Sequence, residues 1–409
     1  MRNALRNEAL ADFFSFARSQ APFYQAPCYN IAGVDDVSNL KKLPILRKAD
    51  IKENFDGLLS KSADIAKGLA DGTLRIARTS GTTDERIQVI SDLTIDQVPP
   101  DYEKVWDIDL AGRTPKTAVL TTPICSATEC HLGKAPMHAR IHREIVLHLN
   151  STEDLFSAPE ALTRNIVEEL WEFRPDFLLV NPYYLMWFGR QASRLGLALP
   201  KIELILTSYQ YASQIHKRGL TAMFGAPVYN SYSATELAGC MLGIECKNGR
   251  WHAYENHSII EILGDETIGP VAATVFAGRL MPLIRYEVGD LARMDDADCD
   301  CPLSDWQCFE FHGRQKDRLN FSGKLFTTKQ IDDLMAKVTG IDFYRCVQDS
   351  ESSIVLDIIP SPGMPLPRLE IEDCLRSGLP VERLDIRQVA RLDPEPSMKF
   401  RLTACNSPS

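Results

Sequence analysis

Between residues 162 and 229 the apolar periodicity switches repeatedly between helical and extended spacing, and this alternation constrains the fold more than any other feature of the chain. Leu162, Ile166, Val167, Leu170 and Phe173 recur at helical spacing, Pro175 closes the run, and Phe177 to Val180 is a short apolar segment bounded by Asn181-Pro182. The pattern then repeats, with a helix-like stretch from Tyr183 to Arg194, an extended segment Ile202 to Leu206, a helix reaching Phe224 and an extended Val228-Tyr229. Alternation of this kind predicts a parallel sheet with helices on its faces, and such sheets bind ligands beyond the carboxyl ends of their strands. The loops that begin at Thr207 and Ser231 fall at such ends.

After Glu236 the texture changes to closely spaced strand candidates, Ser258 to Ile262 and Val271 to Phe276, with turn residues between them. Beyond Arg314 it reads strand, helix (Lys329 to Lys337), strand (Phe343 to Val347), strand (Ile354 to Ile359), helix (Leu369 to Leu375) and a last strand candidate. The expected fold is therefore α/β: a large N-terminal domain, 1–314, of parallel α/β sheets plus a small β subdomain at about 237–310, then a small α+β C-terminal domain, 315–409. A length of 409 residues suits one large and one small domain.

A net charge of −10 with scattered lysines and arginines argues against nucleic acid as a general partner. No apolar run approaches the roughly 20 residues that span a bilayer, and Met1-Arg2-Asn3-Ala4-Leu5-Arg6 opens no signal sequence, so a cytoplasmic chain without a membrane partner is expected. In that setting the eleven cysteines read as free thiols or metal ligands rather than as a disulfide framework.

The run Thr79-Ser80-Gly81-Thr82-Thr83 offers hydroxyls and backbone N–H groups around a glycine, a pattern suited to cradling an anion such as phosphate. It is not a P-loop, because no lysine follows and Asp84-Glu85 come instead; a plain solvated turn is the competing reading. Three further segments follow in order: Tyr229 to Glu236, Pro282-Leu283-Ile284-Arg285-Tyr286-Glu287-Val288-Gly289-Asp290-Leu291, and Gly313-Arg314-Gln315-Lys316-Asp317-Arg318. Together with the Thr79 run they resemble the core motifs of the adenylate-forming enzymes, the superfamily of acyl- and aryl-CoA ligases, luciferases and peptide adenylation domains. Leu43-Pro44-Ile45-Leu46-Arg47-Lys48-Ala49-Asp50-Ile51 and the continuous Pro282 string are similar to the phenylacetate-CoA ligase-like branch.

That resemblance implies the adenylate-forming fold and an AMP-forming ligase. A carboxylate would attack the α-phosphorus of ATP, pyrophosphate would leave, and the acyl adenylate, of an aromatic acid by similarity to the branch, would pass to CoA. Transfer to an amine, a carrier-protein thiol or a reductase is the alternative within enzymes, and a non-catalytic nucleotide- or acyl-binding homologue the alternative outside them. The implied roles fall on particular residues. Thr79, Ser80, Gly81, Thr82 and Thr83 would hold phosphate. Glu236 would ligate Mg²⁺ as a hard oxygen donor, Tyr232 with Ser233 and Thr235 would line the nucleotide, and Ser208-Tyr209-Gln210 would meet the adenine edge. Asp290 would accept the ribose hydroxyls, and Arg314 would reach ribose or phosphate. Core packing for Tyr232, a turn position for Asp290 and an ordinary surface arginine for Arg314 compete with these roles.

Three places depart from the family pattern. Asp84 stands where glycine is usual, and Lys316 replaces an acidic hinge residue. In Ser397-Met398-Lys399-Phe400-Arg401 the lysine falls one residue later than the family's catalytic lysine, which on a strand would turn Lys399 to the opposite face. Lys399 is nonetheless the candidate catalyst beside Glu236 and Arg314.

Cysteines give a second constellation. Cys246-x₅-His252 and Cys299-x-Cys301 offer soft donors for a tetrahedral structural Zn²⁺, with Cys240 and Cys308 as alternative ligands and buried free thiols as the other reading. His138 and His142 have the spacing of a helical metal pair but lack the companion glutamate of an H-E-x-x-H motif. The resemblance places the acyl pocket near residues 124–132 and so implies His131, Tyr183 and Tyr184 as candidates for contacting the acid. The expected partners are a carboxylic acid, ATP, and CoA or a carrier protein, with a homodimer as a candidate assembly.

Overall fold

A computed structural model describes residues 2–29, 37–78, 87–94, 101–123, 135–237 and 239–406. The chain forms two compact units, 1–107 with 231–310, and 108–230 with 311–409.

In the first unit, strands Met241–Glu245, Trp251–Ala253, Tyr286–Met294, Gly269–Val275 and Ser258–Ile262 join the last residues of Val228–Ser233 and the first of Cys308–Arg314 in one sheet. Its pairings are largely antiparallel, with Tyr232 opposite Gly243, His252 opposite Ile244 and Ile260 opposite Ala273. Three strands separate residues 231–233 from Tyr286–Met294 in the sheet order, yet Tyr232 reaches Asp290 directly, so the sheet curls strongly on itself. A separate hairpin pairs Leu74–Arg78 with Gln88–Asp92 in register, Leu74 opposite Asp92 and Arg78 opposite Gln88. The Thr79 run and Asp84 thus connect two paired strands, and themselves lie outside the described residues.

The second unit carries the expected parallel sheet. Thr117–Leu120, Phe177–Val180, Leu204–Thr207 and the start of Val228–Ser233 run parallel, with Thr117 opposite Phe177 and Phe177 opposite Leu204. Almost every residue of Phe177–Val180 and Leu204–Thr207 is buried, which is why they read as continuous apolar runs. The third strand begins two residues later than its apolar pattern suggested, because its ladder opens at Phe177 opposite Leu204. Helix Pro182–Arg194 starts where Asn181 caps it and proline occupies its first turn; Gln214–Phe224 is capped by Ser213 and closed by Gly225 at φ 64°.

Residues 311–409 carry an α+β layer. Strands Arg383–Gln388, Ser353–Pro360, Ile341–Ser350 and Thr403–Cys405 form a four-stranded sheet in that order, flanked by helices Thr328–Met335 and Arg368–Gly378. This layer shares one apolar core with the helices of the parallel sheet, in which Met186, Phe188, Ile215 and Leu220 join Phe343, Tyr344, Ile358 and Phe400. Polar clips reinforce it. Arg190 donates to Asp342 and to the Pro360 carbonyl, and Arg218 donates to the Ala336 and Val338 carbonyls at the end of helix Thr328–Met335.

Candidate functional site

In the first unit two motifs grip each other. Tyr232 lies four residues before Glu236, and Tyr286 lies four residues before Asp290. The Tyr232 hydroxyl donates to Asp290 Oδ2 at 2.7 Å, and the Tyr286 hydroxyl donates to Glu236 Oε1 at 3.2 Å. Each tyrosine therefore holds the other motif's carboxylate, and the curl of the sheet brings together partners 58 and 50 residues apart. Asp290 is 3% exposed and the Glu236 side chain 8%, so both carboxylates sit where an approaching cation or hydroxyl would interact strongly. Tyr232 is itself buried, its ring tilted against Phe309.

Glu236 sits on the short 3₁₀ turn Thr235–Leu237, and Ile90, Asp92, Glu236, Leu237, Val275 and Leu283 line one small cavity. The hairpin that brackets the Thr79 run thus contributes to the cavity walled by the carboxylate expected to hold a metal. Ser233 is exposed at the end of its strand and Thr235 half-buried beside it.

Two cations escaped the sequence reading. Lys48 Nζ lies 4.0 Å from Glu236 Oε1. Arg285 is buried at φ 53°, a left-handed conformation that side chains seldom adopt; its guanidinium makes two 2.9 Å bonds to Glu261 and donates to the Lys41 and Leu43 carbonyls. The Leu46 backbone bridges to Tyr286, and the buried Tyr24 hydroxyl ties the Pro282 carbonyl to the Ile284 N–H. Together these bonds explain why the Leu43 and Pro282 strings occur together, since one docks on the other and Lys48 follows. The signal was present in both strings, but only the bridge shows where the lysine lands.

In the same unit Cys246, His252, Cys299 and Cys301 are all buried, with their ligand atoms within 4.8 Å of one another. Cys246 Sγ and Cys299 Sγ are 3.8 Å apart, and Cys301 Sγ is 3.3 Å from His252 Nε2. Metal–sulfur bonds of about 2.3 Å in a tetrahedron place two sulfurs about 3.8 Å apart, so the donor set fits such a site without rearrangement. His252 Nδ1 faces the Trp306 carbonyl at 3.4 Å, leaving Nε2 toward the sulfurs, and the Leu303 N–H donates to Cys301 Sγ. Burial pushes the Cys301 thiol up to about 12, raises Cys246 and lowers His252. Thiolates at Cys246 and Cys301 need a compensating cation, whereas at Cys299 burial is outweighed by hydrogen bonds, which lower the thiol. Of the alternative ligands, Cys308 lies on the Nδ1 side of His252 and Cys240 is outside the cluster.

The second unit holds the remaining candidates. Ser208, Tyr209 and Gln210 follow strand Leu204–Thr207, with the Ser208 N–H bonded to the Val180 carbonyl and Tyr209 at φ 73°. An aromatic residue in the left-handed region at a strand's carboxyl end stores strain of the kind found at binding sites. Gln210 Oε1 accepts from Asn181 Nδ2 at 2.9 Å and from the Phe400 N–H at 3.3 Å, and its Nε2 donates to the Phe400 carbonyl at 3.4 Å.

Lys399 corrects an assumption of the sequence reading. It lies in no strand: the Met398 N–H bonds to the Glu395 carbonyl, the Glu395 N–H to the Lys399 carbonyl, and Met398 sits at φ 58°. In a turn of this kind the one-residue offset does not reverse a face, because no alternating pleat fixes the side-chain direction. Arg314 is exposed and begins the turn Gln315–Asp317; Arg401 joins Asp317 to Glu395, and burial raises the Asp317 carboxyl to about 6.

Tyr183 and Tyr184 are fully buried. Tyr183 stacks on Phe400 with ring centroids 4.9 Å apart, and the Tyr184 hydroxyl donates to the Thr152 carbonyl. His138 lies on a 3₁₀ turn and His142 on a strand, so the helical pairing suggested by their spacing does not form. His131 lies outside the described residues.

The fold is that of the adenylate-forming enzymes. In sequence, the chain is similar to phenylacetate-coenzyme A ligases. It is 21% identical to the phenylacetate-coenzyme A ligase of Thermus thermophilus over 86% of this chain and 79% of that protein, and 24% identical to the Aromatoleum evansii enzyme over 43% and 42%. Among solved structures it is similar to 2-hydroxyisobutyryl-CoA ligase in a post-adenylation complex with an acyl-AMP, at TM-score 0.74, 15% identity, and 99% and 89% coverage. It also resembles an anthranilate-CoA ligase bound to anthranoyl-AMP, at TM-score 0.54, 12% identity, and 80% and 66% coverage. No protein-family profile matches the chain.

Proposed function

We propose that the protein is an acid–CoA ligase that activates an aromatic carboxylic acid with ATP, releases pyrophosphate and transfers the acyl group from the adenylate to CoA. The reciprocal Tyr232–Asp290 and Tyr286–Glu236 pairs carry the reading, because they join two motifs whose carboxylates have complementary tasks toward a nucleotide. Asp290 accepts the ribose hydroxyls. Glu236 holds Mg²⁺, which supplies charge neutralisation at the phosphate oxygens. Residues 79–83 cradle phosphate, Ser208 and Tyr209 border the base, Arg314 reaches ribose or phosphate, and Lys399 brings a positive charge to the carboxylate and α-phosphate as the bond forms. Lys48, beside Glu236, adds a cation to that wall. Similarity to phenylacetate-coenzyme A ligases supports the aromatic acid and CoA as substrates.

The Cys246–His252–Cys299–Cys301 set holds a structural zinc that staples the loops of the curled sheet. With four protein donors, no position is left open for catalysis. Among the described residues no helix is long and apolar enough to cross a membrane.

The test is acid-dependent ATP–pyrophosphate exchange over a panel of aryl and aliphatic acids, followed by CoA consumption. Exchange with aryl acids and thioester formation are expected. Exchange without CoA consumption would move the acceptor to an amine or carrier thiol, and no exchange with any acid would remove the activity.

A further inference from the structure

Gln210 was assigned by resemblance to the adenine edge, yet the bonds it makes point elsewhere. Asn181 is fully buried and its Oδ1 is committed to the Tyr183 N–H as the cap of helix Pro182–Arg194. Its Nδ2 must therefore donate, and the acceptor is Gln210 Oε1, which fixes the orientation of the Gln210 amide. That amide then pairs with both backbone groups of Phe400, accepting from its N–H and donating to its carbonyl, as a neighbouring strand would. Phe400 directly follows Lys399. Its ring is buried, stacked on Tyr183 at an interplanar angle of 13° and edge-on to Phe156. On the other side of Lys399 the chain is closed by the Glu395 turn, and Arg401 ties Glu395 to Asp317. The peptide bearing Lys399 is thus held at both ends.

We infer that Gln210 is a positioning residue that aims Lys399 by clamping the Phe400 backbone, rather than a contact to the nucleotide base. The inference rests on the reading of Lys399 as the cation that acts in acid activation. Placement errors of about 1 Å at a reacting centre cost on the order of 100-fold in rate, so loosening this clamp is expected to appear in turnover and not in affinity.

The experiment compares the full chain with Gln210→Met, which keeps the volume and removes all three bonds, the one from Asn181 included, and Gln210→Glu, which keeps the acceptor for Asn181 and for the Phe400 N–H. Lys399→Ala serves as reference. Two readouts are taken: kcat and the KM for ATP in pyrophosphate exchange, and deuterium uptake of the segment 395–402, which needs no substrate. Gln210→Met should lower kcat about 10- to 100-fold with the KM for ATP changed less than about twofold, and should speed uptake at 395–402 but not in Ile341–Ser350. Gln210→Glu should lose less turnover than Gln210→Met. A raised KM with kcat intact would make Gln210 a base contact and overturn the inference, as would unchanged uptake at 395–402. Full exchange activity in Lys399→Ala would instead remove the role of the lysine, leaving the clamp to be judged by deuterium uptake alone.

Discussion

Replacing Asp332 by asparagine should make the protein's stability less dependent on pH between about 4 and 7. Asp332 lies in helix Thr328–Met335 with no exposed surface; Oδ1 accepts from Tyr344, and Oδ2 from Tyr211 and from the Gln214 N–H at a helix start. Burial nevertheless dominates those bonds and raises its carboxyl from 3.8 to about 6. A carboxyl that binds its proton more tightly when folded favours the folded state at low pH. Its contribution declines as pH rises through the window from 3.8 to about 6 and is flat above it. The shift of about 2 pH units corresponds to at most about 3 kcal/mol. Asparagine keeps an acceptor for the surrounding donors without the buried charge. Urea unfolding of wild type and Asp332→Asn at pH 4, 5, 6 and 7 isolates the effect, because other carboxylates cancel in the difference. The variant should gain on wild type by about 2–3 kcal/mol from pH 4 to 7. A difference that stays constant within about 0.5 kcal/mol, or moves in wild type's favour, would refute the argument.

Other consequences are equally direct. Purified protein should contain about one zinc per chain, and Cys301→Ser should lose it along with thermal stability; metal-free wild type of unchanged stability would leave the cluster as buried thiols. Glu261→Gln removes the countercharge and one of two acceptors from a buried guanidinium and should cost about 3–5 kcal/mol in chemical unfolding, whereas a loss under about 1 kcal/mol would mean that the amide oxygen with the carbonyls of Lys41 and Leu43 suffices. Tyr286→Phe removes one bond to Glu236, worth about 1 kcal/mol, and should raise the half-saturating Mg²⁺ concentration in exchange about fivefold; an unchanged Mg²⁺ response would separate Glu236 from the metal.

The hydroxyl run around Gly81 and the Cys/His set stand out by local chemistry, as hydroxyls around a glycine and soft donors in close spacing, whereas the carboxylates at 236 and 290 could be singled out only through the resemblance of their strings to family motifs. The Tyr183 and Gln210 environments could not. A tyrosine at a helix start reads equally as a ligand contact or a packing residue, and the choice depends on Phe400, more than 200 residues later in the chain. Lys399 shows the same limit at short range. Its meaning under a one-residue offset depended on a strand, and the backbone forms a turn instead because Glu395 and Met398 close a local bond.

By itself the sequence determined the parallel α/β order of residues 162–229, the strand and helix order near the C-terminus and the identity of the chemical groups, because periodicity and side-chain chemistry are local properties. Only tertiary structure decided which groups meet. The reciprocal tyrosine–carboxylate pairs, the docking of the Lys48 segment on the Pro282 string and the Gln210–Phe400 clamp all join residues distant in sequence. Sheet curl and core packing set those distances, and no stretch of sequence encodes them separately.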